Sequence, residues 1–125
     1  MGREKKETGN IGERLAASYL KKKGYKVVGR NYRTIFGEID IVARLANFIV
    51  FVEVKTRATS SLGPPYLAIT KAKERHMVKS ALFYLKQHRS VSARWRIDIV
   101  SVKLDQAHKV ENIELFENAV EDPYV

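Results

Sequence analysis

The sequence predicts an α/β fold in which helices cover both faces of one mixed β-sheet, and three observations lead there. The apolar pattern runs helix, three strands, helix, strand, strand, an order that a layered sandwich accommodates. Residues 48–54, Phe-Ile-Val-Phe-Val-Glu-Val, are apolar on both faces apart from Glu53, so this strand is central and covered on both sides. The 125 residues show no repeat, low-complexity tract or dividing linker, and a single domain of that length can bury such a core.

The first helix is expected from an Asn10 N-cap to about Lys23. Ile11, Leu15, Ala16, Tyr19 and Leu20 recur at helical spacing, Gly24 ends it, and residues 1–9 form a flexible lead. Glu13 stands three residues after Asn10 and completes a capping box. A short strand at 26–30 follows, then strands at 38–43 and 48–55 joined by a turn at 44–47. Residues 56–66, "TRATSSLGPPY", have the Ser, Gly and Pro content of a mobile loop, expected to order on ligand. A second helix spans 69–88 with Val78, Ala81, Leu82 and Leu85 as its apolar stripe. Strands at 94–102 and 112–116 complete the chain.

Charge narrows the function. Lys and Arg number 23 against 14 Asp and Glu, a net +9. Glu111, Glu114, Glu117, Glu121 and Asp122 all follow Val110, beyond which there is no Lys or Arg, so residues 1–109 carry 23 cations against nine acids. Such a body favours a polyanionic partner, and nucleic acid is the commonest in a cytosol; charge for solubility or ribosome association is the blander explanation. The absence of cysteine excludes disulfides and thiolate zinc sites and suits a reducing compartment. Residues 1–9 lack an apolar signal core, and the longest bulky apolar run, 48–52, is too short to cross a bilayer. The expectation is a soluble cytoplasmic protein without a membrane partner.

The stretch 37–57, "GEIDIVARLANFIVFVEVKTR", places acids and a lysine where a core would place Val or Leu. Side chains alternate along a strand, so Glu38 shares a face with Asp40, and Glu53 with Lys55. An antiparallel hairpin closed at 44–47 sets Asp40 opposite Phe51 or Glu53, and either register brings the two acids to one face within reach of a shared ion. Buried carboxylates are costly and repel one another, and a divalent cation relieves both costs. Mg²⁺ takes one or two carboxylates and leaves positions for phosphate. Lys55 then points at the same spot, able to orient water and offset charge on a reacting phosphate. The competing explanation is a Glu53–Lys55 salt bridge at a strand end with Asp40 facing water. Asp98, in "RIDIV", is explained equally by an ion pair with a neighbouring Arg. His76, His88 and His108 are too scattered to suggest a metal site.

"GEIDIVA" followed by "FVEVKTR" resembles the YraN family of small bacterial proteins, within the restriction-endonuclease-like superfamily and similar to Holliday-junction resolvases. "NIGERLAASYL", "YKVVGRNYRT", "AITKAKERHMVKSALFYL", "RWRIDIVSV" and "ENAV" extend the resemblance over nearly the whole chain. It implies a restriction-endonuclease-like α/β/α sandwich and a nuclease cleaving DNA, plausibly branched or structured, with Mg²⁺ or Mn²⁺. By that resemblance Asp40, Glu53 and the Val54 carbonyl hold the metal, and Lys55 is the catalytic lysine. Glu13 matches the acid that resolvase-like relatives supply from the first helix, and Glu38 supports the ligands. The superfamily's usual Pro before the Asp is absent, Ile39 standing there. Arg57, Lys71, Lys73 and Arg75 are the candidates for gripping the nucleic-acid backbone, DNA ahead of RNA. Two-fold resolvase relatives imply a homodimer. A non-catalytic nucleic-acid-binding module that keeps the nuclease fold is the alternative.

Overall fold

The computed structural model describes residues 2–58 and 69–120. Helix α1 (Gly2–Lys22) leads into strands β1 (Lys26–Thr34), β2 (Gly37–Leu45) and β3 (Phe48–Ala58). Helix α2 (Lys71–Gln87) and strands β4 (Arg94–Leu104) and β5 (Val110–Phe116) follow. Two-residue turns at Ile35–Phe36 and Ala46–Asn47 force β1, β2 and β3 into an antiparallel meander. The α2 crossover returns the chain so that β4 lies parallel to β3, and β5 folds back antiparallel on β4. The sheet therefore runs β1-β2-β3-β4-β5, with β3 at its centre as its two apolar faces require.

Each face is closed by one helix. On one side Ala16, Ala17 and Leu20 of α1 pack on Ile41, Val50, Val52, Val54, Val100 and Val102. On the other, Val78, Ala81 and Leu85 of α2 pack on Val42, Ile49, Phe51, Ile97 and Ile99. The result is an α/β/α sandwich about a mixed sheet, compatible with the restriction-endonuclease-like fold. No helix among the described residues is long and apolar enough to cross a membrane.

Several local expectations need correction. The first helix begins at Gly2, not at an Asn10 cap, so Glu13 lies mid-helix and the capping-box explanation fails. The second begins after Thr70, whose hydroxyl caps it by accepting the Lys73 N–H at 3.1 Å. Leu82 lies outside the buried stripe, at 39% exposure. Strands β1 to β5 all exceed their expected spans, because cross-strand pairing continues past the apolar runs that mark them in sequence. Residues 56–58 are strand, and the rest of the expected loop, 59–66, lies outside the described residues.

Candidate functional site

The site forms where two central strands part. Pairing of β2 with β3 runs from Leu45↔Phe48 to Ile41↔Val52 and then stops. Beyond that point β2 stays paired with β1 to Gly37, and β3 stays paired with β4 to Ala58, so the sheet forks. Asp40 fills the fork. Its Oδ2 accepts the Val54 N–H at 2.8 Å, in place of the ladder bond a β2 carbonyl would have offered. Side-chain alternation breaks here as well, since Ile39 packs with the α2-side cluster and Ile41, two residues on, with the α1-side cluster. Continuing the observed register by one step sets Asp40 opposite Glu53. In an extended strand a residue's N–H and C=O leave on the same side. The Val54 carbonyl thus faces the same opening as its N–H.

Electrostatics in the fork are unbalanced. Burial, reinforced by the Glu53 carboxylate and then by Glu13, pushes the Asp40 carboxyl up to about 8. The Val54 N–H opposes that rise but does not overcome it. Glu13, Glu38 and Asp40 bring carboxylate oxygens within 4.8 Å of one another, so α1 adds a third acid to the two from β2. Oxygen donors alone meet here, the ligand type that Mg²⁺ and Mn²⁺ take.

Cations lie on the α2 side. Glu53, 7% exposed, is paired with Lys73 Nζ at 3.1 Å, not with Lys55. Burial opposes charge on Lys73, but the Glu53 carboxylate outweighs it and the ammonium holds its proton more tightly than usual. Lys55 experiences the reverse: burial and then the neighbouring Lys73 lower its proton affinity, and Glu53 only partly compensates. Of the other expected backbone contacts, Arg57 is exposed at the end of β3, Lys71 pairs weakly with Glu74 at 3.6 Å, and Arg75 is exposed on α2. Lys73 is part of the acid site itself as much as of any basic rim.

Two site residues escaped the sequence reading. Asn31 donates from Nδ2 to Glu13 at 3.0 Å and to Glu38 at 2.9 Å, clamping α1 to β2. It does so from a left-handed backbone, φ +52°, which Asn tolerates better than most residues. An Asn within an otherwise strand-like run, "GRNYRT", was the available signal. Gly12 permits α1 to lie so close on β3 that a Cβ there would overlap the Thr56 side chain. That approach brings Glu13 to the fork.

Comparison with known proteins agrees with the motif resemblance. The model of the family described as "Uncharacterised protein family UPF0102" matches residues 12–102. A UPF0102 protein of Caldicellulosiruptor saccharolyticus is 42% identical over 115 residues, 92% of this chain and 98% of that protein. One from Desulfosudis oleivorans is 45% identical over 116 residues, covering 93% and 91% respectively. One from Geobacter metallireducens is 44% identical over 124 residues, 99% of this chain and all of that protein. Full-length similarity at this level leaves one assignment: the chain belongs to the UPF0102 (YraN) family.

Proposed function

We propose that this protein is a nuclease, hydrolysing phosphodiester bonds of DNA, branched or otherwise structured DNA included, with Mg²⁺ or Mn²⁺ as cofactor. The observation that carries the reading is the fork itself. The sheet gives up β2–β3 pairing beyond Ile41↔Val52 to insert Asp40 beside Glu53 and Val54, an arrangement that raises the energy of the metal-free state and that a cation would relieve. Asp40, Glu53 and the Val54 carbonyl would hold the ion, with Glu13 and Glu38 at its edge. Bound there, the ion would supply charge to a non-bridging phosphate oxygen and to the attacking water.

The chain's own groups account for the remaining work. Asp40 must give up its proton to serve as a ligand. Lys73 must loosen from Glu53, which frees an ammonium beside the site to hold the phosphate. Lys55, with lowered proton affinity and a neighbouring cation, is suited to orient the water and stabilise charge as a water oxygen–phosphorus bond forms and an ester bond breaks. The departing oxygen takes up a proton. Arg57 and Arg75, both exposed, would contact flanking phosphates, and the +14 charge on residues 1–109 would supply the long-range attraction.

One observation favours the non-catalytic reading. Lys73 already neutralises Glu53, so an internal cation does part of what a metal would do. Incubating the purified protein with end-labelled linear, single-stranded, flapped and four-way DNA, with and without Mn²⁺, separates the two. Mn²⁺-dependent product, lost in Asp40→Asn, is the expected result. Binding without cleavage of any of these substrates would leave the binding module as the function.

A further inference from the structure

A cavity of about 420 Å³ opens from the acid site between the β1–β2 hairpin and α2. Asp40 and Glu53 close one end, and Phe36, His76, Met77 and Ser80 are among its walls. Its size falls in the range of small-ligand sites, about 300–1,000 Å³. Hydrogen bonds cross-link the turn that forms the outer wall. Thr34 Oγ1 donates to the Gly37 carbonyl at 2.8 Å, accepts the Phe36 N–H at 3.0 Å, and lies 3.0 Å from Ser80 Oγ on α2. Phe36 also packs edge-on against Phe83, with ring centroids 6.5 Å apart, and Lys79 Nζ stands 5.7 Å from its centroid. Beside it Ile35, 82% exposed, is a large apolar side chain held out in water at the turn.

We propose that this cavity seats the sugar and base of the nucleotide next to the phosphate bound at Asp40 and Glu53, so that the protein acts on unpaired strands: single-stranded ends, flaps and the unpaired nucleotides of a branch. The proposal rests on the phosphodiesterase reading and adds the substrate class. A base within a duplex is paired and stacked on both sides, and entering a cleft between helix and sheet requires its extrusion, a cost that an unpaired base escapes. An aromatic ring on a fixed hairpin stacks on any base, which gives strand selectivity without sequence selectivity. Met77 adds an apolar surface, and His76 at the exposed rim adds a polar ring. Ile35 covers the next base along and discourages restacking, as apolar side chains do when inserted at a base step.

The test measures affinity of the full chain for a short single-stranded oligonucleotide and for the matching duplex, with Ca²⁺ in place of a cleavage-supporting ion, and cleavage of both with Mn²⁺. Tighter single-strand binding is expected, with Phe36→Ala weakening it by about tenfold and leaving duplex affinity unchanged. Ile35→Ser alters only a solvated turn, so it reports even if Phe36→Ala fails to fold, and it should act in the same direction with a smaller loss. Equal losses on both forms, or tighter duplex binding by the wild type, overturn the cavity assignment. Mn²⁺ cleavage of duplex as fast as single strands, unaffected by Ile35→Ser, also overturns it while leaving the nuclease reading intact. Selective single-strand binding that depends on Phe36 or Ile35, without cleavage, does the reverse.

Discussion

Two aspartates sit inside the same sheet under opposite conditions. Asp98 on β4 is fully buried and fully answered: it accepts from the Tyr25 hydroxyl at 3.1 Å, from Arg96 Nε at 3.0 Å, and from the Asn118 backbone N–H at 2.9 Å. Its network ties the loop after α1, the centre of β4 and the segment after β5 into one unit. Asp40 on β2 has one backbone donor and is otherwise set among Glu53, Glu13 and Glu38. A buried charge that the fold completes by itself is architecture. One set among like charges, with Lys73 as the nearby cation, is what the proposed metal would complete.

The largest effect that would sharpen this contrast is catalytic. Lys55→Ala should reduce Mn²⁺-dependent cleavage by at least about 10²-fold while metal binding persists, because in the proposed mechanism the lysine acts on water and phosphate and is not a ligand. Asp40→Asn should remove both. Single-turnover rates together with calorimetric Mn²⁺ titrations separate the two variants. Retained metal binding in Asp40→Asn would break the contrast, because Asp40 would then not be the residue awaiting a cation.

Next comes stability. Asp98→Ala removes the acceptor of the Tyr25 hydroxyl and the Asn118 N–H and leaves Arg96 only its contacts with Tyr25 and Glu117, and should cost about 3–5 kcal/mol by denaturant unfolding. Asp40→Asn should leave the metal-free protein equally stable or more stable, the gain appearing as pH approaches 8, where an ionised Asp40 would face the Glu53 carboxylate. Comparable destabilisation by both would mean that Asp40 too is architecture.

How far this contrast could be read from sequence depends on how local its parts are. The hairpin follows from a short turn between two apolar runs, but "GEID" and "VEVK" leave its register open, with Phe51 or Glu53 opposite Asp40, and do not disclose the break in alternation between Ile39 and Ile41. Whether Asp98 was paired could not be read from spacing, because Tyr25 and Asn118 reach it from distant parts of the chain. Lys73 was placed on the basic rim because nothing local shows that the first turn of α2 docks over Glu53. Asn31 and Gly12 were missed for related reasons: one acts through a left-handed backbone, the other through the absence of a side chain. Asn10 imitates a cap in a run where helical hydrogen bonding simply continues, so sequence alone starts helix α1 too late.

A smaller effect is written in pH. Raising the Asp40 carboxyl from 3.8 to about 8 means that the folded chain keeps a proton which the unfolded chain releases within that window. Its contribution to stability is fully present below about pH 4 and is lost as pH rises toward 8, by at most about 1.4 kcal/mol per pH unit. Melts of the metal-free protein between pH 5 and 8 should show wild type falling relative to Asp40→Asn. Divalent-metal binding near pH 6 should release about one proton, visible as heats that vary with the buffer's ionisation enthalpy. A flat difference between the two proteins would show that Asp40 is already ionised and that the fork is less crowded than its acids suggest.

The smallest expected effect concerns how the third acid reaches the fork. Gly12→Ala puts a methyl group where the Thr56 side chain lies, so α1 must lift or Thr56 must move. Overpacking of this kind costs about 1–3 kcal/mol, and its direction matters more than its size. Lifting α1 at Gly12 withdraws Glu13 from Asp40 and strains the Asn31 clamp. Gly12→Ala should therefore weaken metal affinity beyond what its modest stability loss explains, and Thr56→Gly in the same chain should restore part of both by clearing the overlap. Asn31→Ala should weaken metal affinity as well, by freeing Glu13 and Glu38, without rescue from Thr56→Gly. If Gly12→Ala lowers stability but leaves metal affinity unchanged, the close approach serves packing alone and Glu13 belongs with Asp98, on the architectural side of the contrast.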